Sequence, residues 1–253
     1  MSDFDRNSAT ARGYPADRAV VIDQGLRAHM IRVYNYMAGG VALTGAIAWI
    51  TFQYAVVTND AGTIVGLTPL GQTLFQGPML WLLILAPLGL VFFLSFRINR
   101  LEASTARALF FLYAGLLGVS LATIFMVYTH ASIARVFFIS AASFGALSLW
   151  GYTTQRDLSG MGSFLIMGLF GLIIASLVNL FLKSSGLDWA LSVMGVLIFA
   201  GLTAWDTQKI KEFYDPMDDG TVAGRKVVMG ALALYLDFIN LFLMLIRLLG
   251  DRR

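Results

Sequence analysis

Two carboxylates sit inside apolar runs. Asp206 lies in "LTAWDTQKIK" and Asp237 in "LALYLDFINLFLMLIRLLG", whereas the remaining acidic residues, of 15 in all, fall in tails, loops or segment ends. In hydrocarbon a charged side chain costs at least about 2.5–3.5 kcal/mol on insertion scales, so it faces a cavity or a partner and marks a pathway or relay. Two neighbouring carboxylates repel when both are ionised. Such a pair holds a shared proton over part of the physiological pH range and titrates as a unit. Protonated, it closes into a carboxyl–carboxylate hydrogen bond; doubly ionised, it opens or takes up a cation. Residues of this type therefore make a proton-sensitive gate with a weak oxygen site for a hard cation.

The elements that must position this pair follow from composition. Of 253 residues, 58% are hydrophobic and 13% charged, against roughly 25% charged in a soluble domain. The chain is expected to be an all-α integral membrane protein. Its apolar blocks approach the roughly 20 residues a helix needs to cross a bilayer. Seven are expected, over residues 33–57, 79–98, 108–129, 136–153, 163–182, 188–211 and 228–249. Residues 1–32 form a tail, partly disordered, whose "AVVIDQGLRAHMIRVYNYM" is an amphipathic lead into the first helix; residues 250–253 are a short tail at the other end. No early apolar core with a small-residue cleavage site marks a signal peptide.

Arginine and lysine set the orientation. Thirteen of the 18 lie on the side of the N-terminal tail, the 2–3 connection, Arg156 and the 6–7 connection, which places the N-terminus in the cytoplasm. An odd number of crossings then puts the basic end "IRLLGDRR" outside, against the rule; a final helix buried by the others would resolve the conflict. With inner helix ends near Lys211 and Val228, Asp206 and Asp237 stand roughly 8 and 14 Å deep at about 1.5 Å per residue. They are at similar depths on adjacent antiparallel helices.

Other chemistry is excluded or secondary. With no cysteine and two histidines, His29 and His130, near segment ends, a thiolate or clustered histidine metal centre is not expected, nor is a resident cofactor. The net charge of +3 belongs to loops, and no basic run interleaved with aromatics suggests nucleic acid. Arg97, ending the second helix at the inner level, is a candidate counter-ion for a carboxylate, or simply snorkels to the headgroups. Thr203 and Asn240 share helix faces with Asp206 and Asp237; they could line a polar pathway, but structural hydrogen bonds are the favoured role. Ala141, Gly145, Gly168, Gly171 and Ala175 recur at helical spacing and are expected to pack helices closely. Trp49, Trp81, Trp150, Trp189 and Tyr214 read as interface anchors.

The segments "GLTAWDTQKIKEFY", "LALYLDFINLFLMLIRLLG" and "FFISAASFGALSLWGYTTQRDLSGMGSFLIMGLFGLIIASLVN" resemble the Bax inhibitor-1 family in its bacterial branch, over residues 30–249. The resemblance implies a seven-helix bundle with the last helix near its centre, and a pH-sensitive Ca²⁺ leak controlled by aspartates at the positions of Asp206 and Asp237, with an arginine, Arg97 or Arg100, pairing to the former in a closed state. Ca²⁺ would bind weakly and transiently, since two carboxylates fall short of a six-to-eight-oxygen cage. Partners implied are the lipid bilayer, Ca²⁺, protons and, for other bacterial relatives, a membrane protease. A non-transporting regulator of such a complex is the alternative to a leak. An intramembrane aspartyl hydrolase is disfavoured, because "LYLDF" lacks the G-x-G-D pattern of those enzymes; no enzymatic activity is expected.

Overall fold

A computed structural model describes residues 16–59 and 63–253, with side chains from residue 24 onward. The tail expected over residues 1–15 lies outside the described residues. Along the chain run α1 (Ala16–Ala55), the strands β1 (Val56–Thr58) and β2 (Ile64–Leu67), then α2 (Pro69–Gln76), α3 (Met79–Arg97) with a 3₁₀ turn over Ile98–Arg100, α4 (Ala103–Leu121), α5 (Ile124–Val127), α6 (His130–Thr153), α7 (Ser159–Leu182), α8 (Ser185–Glu212) and α9 (Gly220–Leu249).

A helical membrane bundle holds, but among the described residues six helices, not seven, meet the length and hydropathy a span requires. The exception is α1. Its expected crossing is diluted by Asn35, Gln53, three tyrosines and three glycines, although α1 runs alongside α4 and α9. Tyr36 meets Arg107, Thr44 bonds the Ala114 carbonyl, and Trp49 packs on Phe125. Residues 16–32, expected as tail and lead, are the first part of this helix.

The last helix is the centre of the bundle. In its most apolar stretch 67% of residues are buried, against 11% in α7 and 17% in α3. It packs against α8, α1, α6 and α4, and its core residues Leu234, Tyr235 and Leu241 are almost wholly buried. Burial by neighbours on several sides means that its apolar composition answers to protein and not only to lipid. The basic tail that follows is tied to the α5–α6 connection: Asp251 pairs with Arg135 at 2.9 Å, and its carbonyl accepts from the Thr129 N–H at 3.0 Å.

Helix ends explain where the expected limits shift. The Asp219 carboxylate accepts from the N–H groups of Thr221 and Val222, so α9 starts at Gly220 and not near Val228; an Asp N-cap satisfies donors the first turn leaves orphaned. Arg225 and Lys226 are thereby helical residues, not loop residues. The Ser184 hydroxyl caps α8 by accepting from Leu187. The turn-rich connection after α1 is a small hairpin, in which Val57 pairs with Gly66, followed by α2 capped through Thr68.

Of the small residues expected to pack, Ala141, Ala175 and Gly168 lie against the core and two do not, and the tightest contacts fall at other glycines. A side chain at Gly145 or Gly171 would meet nothing within 4 Å, and both are exposed. At Gly151 a Cβ would run into the backbone of Ala204, at Gly162 into the Trp205 indole and at Gly118 into the Thr44 carbonyl. Gly168 is in contact range of Ile198, 3.3 Å from a Cβ at that site. The four tryptophans expected as anchors are all exposed. Tyr214 is half-buried against His29.

Candidate functional site

The caps on α8 and α9 fix the register of two long helices that pack side by side, and that register brings the two aspartates together. The side chains of Asp206 and Asp237 lie close enough to act on one another across the α8–α9 contact. Asp237 is 4% exposed, and one of its oxygens is buried with no hydrogen-bond partner among the described residues. Asp206 is half-buried.

The expected counter-ion is not beside the pair. Arg97 is exposed and forms no ion pair among the described residues, and Arg100 is likewise exposed. The cation acting on Asp206 is Lys209, three residues on along the same helix. Its ammonium lies over the rings of Trp205, 4.7 Å from the centroid, and Phe213, at 5.6 Å. Position i+3 is a neighbour on a helix face, so the spacing in "WDTQK" carries this signal, whereas Arg97 rests on its level and on the family resemblance.

Two cavities meet at the pair. One, of about 590 Å³, is bounded by the ends of α1, α3, α8 and α9 and lined by His29, Asn99, Lys209, Arg225 and Lys226. The other, of about 670 Å³, lies between α7, α8 and α9, with Leu169, Leu172, Phe199, Leu236, Asp237 and Asn240 in its walls. Asp206 and Ala233 are the residues common to both. Asp206, with Ala233, is thus the septum between a cavity that carries the basic side chains and an apolar one, and Asp237 lines the apolar side.

The flanking polar residues divide. Thr203 is fully buried and spends its hydroxyl on the Phe199 carbonyl at 2.7 Å. It is a structural residue. Thr207 donates in the same manner to Thr203 and contacts the Ser148 hydroxyl at 2.9 Å, which in turn meets the Tyr34 hydroxyl; this polar chain joins α8 to α6 and α1. Asn240 donates to the Leu236 carbonyl at 2.8 Å and also lines the apolar cavity, one turn from Asp237.

No group of three or more His, Cys, Asp or Glu residues that could cage a metal occurs among the described residues. Two carboxylates and the Asn240 oxygen can offer a passing cation partial replacement of its water, not a resident site. Sequence reasoning missed His29, set aside as a segment-end residue. It is 4% exposed, with a buried Nε2 that has no hydrogen-bond partner among the described residues. Nothing in its neighbours along the chain signals that burial, which comes from α8, the α8–α9 connection and α9 folding back over α1.

The chain matches the family model described as "Inhibitor of apoptosis-promoting Bax1" over residues 26–253. It is 48% identical over 231 residues to protein RP147 of Rickettsia prowazekii, covering 91% of this chain and 92% of that one. It is 46% identical over 241 residues to inner membrane protein YbhL of Escherichia coli, covering 94% and 97%. A Caulobacter vibrioides protein is 42% identical over 260 residues, spanning the whole of both chains.

Proposed function

The chain belongs to the Bax inhibitor-1 family, and from that premise we propose that it is a proton-regulated cation leak of a bacterial inner membrane, with Ca²⁺ as cargo and its N-terminus in the cytoplasm. The observation that carries this proposal is the meeting of Asp206 and Asp237 at the septum between two cavities. The location draws on YbhL, an inner membrane protein, and the orientation on the excess of arginine and lysine beside the N-terminus, α3–α4 and α8–α9.

The mechanism follows from charge. With one shared proton the two carboxyls hold each other and close the septum. Without it, two like charges in a low-dielectric surround repel strongly; they separate or recruit a cation between them. A hard divalent cation gains two carboxylate oxygens in place of water and keeps the rest of its hydration shell. Binding that weak permits release, as conduction requires. No catalytic step is proposed for the pair.

Purified protein in liposomes, assayed for Ca²⁺ flux over a pH series beside Asp206→Asn/Asp237→Asn, tests this. Wild-type flux is expected to change with pH and the double amide to lose that dependence. A flat wild-type profile contradicts the proposal.

A further inference from the structure

The cavity on the Lys209 side of the septum is an odd entrance for a cation. Its walls carry three cations, Lys209, Arg225 and Lys226, and one carboxylate, Asp206. Lys226 is committed to Asp218 at 2.6 Å. Arg225 donates to the carbonyls of Leu101 at 2.7 Å and Asn99 at 2.9 Å, which fixes its guanidinium without neutralising it. Lys209 forms no ion pair within 4 Å among the described residues and rests on aromatic faces.

The same cavity is lined by His29, whose Nε2 is buried without a hydrogen-bond partner among the described residues. A buried polar nitrogen left unmade costs free energy that a ligand would recover. Around it stand Arg32, Lys226 and, opposing them, Asp218. The Tyr214 ring lies 5.6 Å away.

From this lining we infer that the cavity is a binding site for a phosphate-bearing anion, held by Lys209, Arg225 and the His29 imidazole. A phosphate group accepts several charge-assisted hydrogen bonds at once and suits a guanidinium above all. About 590 Å³ is ample for it. Basic pockets between membrane helices near the interface are matched to such headgroups, and a soluble phosphate offers the same chemistry. The site stands on its own lining and does not require the leak. It is nevertheless linked to the septum, because the anion and Asp206 compete for the charge of Lys209.

With two histidines in the chain, the imidazole reports directly. Full-length protein labelled with ¹⁵N-histidine, in a maltoside detergent that carries no phosphate, is titrated first with inorganic phosphate and then, separately, with short-chain phosphatidylglycerol. His29 is expected to shift saturably and its titration midpoint to rise by about one pH unit or more, the effect of an anion brought against it; His130 stays put. A response to phosphate alone assigns a soluble anion, to the lipid alone a headgroup, and to both the phosphate group itself. Lys209→Gln should weaken the response, and Lys183→Gln, at the end of α7 and outside the cavity lining, should not. An unmoved His29 in both arms, or a shift that His130 shares, overturns the inference.

Discussion

The cavities on either side of Asp206 are close in volume and opposite in chemistry. One is lined by His29, Asn99, Lys209, Arg225 and Lys226; the other by leucine, isoleucine and phenylalanine side chains with Ser176, Asp237 and Asn240 as its polar members. The difference teaches which side sets the barrier and which sets the charge. A polar cavity admits water and ions, whereas an apolar one must first be wetted. Asp206, half-buried, lines the basic cavity, whereas Asp237 is buried and lines the apolar one alone.

Four substitutions sharpen or break that contrast. Leu169→Ser, in the apolar wall, removes a side chain whose transfer is worth about 1.5–3 kcal/mol; about half of that appearing in the barrier raises Ca²⁺ flux roughly tenfold at every pH, with the pH dependence retained. Flux unchanged by Leu169→Ser would move the barrier elsewhere. Lys209→Gln, in the polar wall, takes away a repelling charge and should raise flux severalfold at low ionic strength. The gain should shrink at high salt, because screening shortens the reach of that charge.

His29→Gln bears on stability. Burial, with Arg32 and Lys226 next, holds the imidazole below its ordinary value of 6.5. The unfolded chain then takes up the proton more readily as pH falls below that value, so stability declines there. The melting temperature of the wild type should drop between about pH 7 and pH 5, and His29→Gln should flatten part of the drop. The smallest effect is expected from Arg97→Gln. An exposed arginine without an ion pair among the described residues should leave the pH profile of flux as it was; a displaced midpoint would restore it as a partner of Asp206.

Much of this architecture was legible in the residues, and the misses have physical causes. Asp206 and Asp237 announced themselves as charges in apolar runs, and their similar depth followed from helix rise alone. The partner cation did not, because level in the membrane selects Arg97 while the helix face selects Lys209. Gly145 and Gly171 fit a small-residue spacing yet face outward, whereas Gly151 and Gly118 lie at the helix crossings. Spacing reports a face and cannot say which neighbour occupies it. The start of α9 moved to Gly220 because a capping aspartate outweighs local hydropathy. The central place of α9 explains how the basic end "IRLLGDRR" is accommodated, since Asp251 pairs with Arg135 and Arg253 bonds His130 at 2.9 Å.

The central claim is that the two carboxyls act as one titrating unit at the septum. Its most direct test is a double-mutant cycle on the pH profile of Ca²⁺ flux, with wild type, Asp206→Asn, Asp237→Asn and the double variant in the same liposomes. Groups that work as a unit are non-additive. Each single amide should abolish the wild-type pH dependence as fully as the double. Two partial losses that sum to the double would contradict a shared proton, and so would a single variant that keeps the wild-type profile.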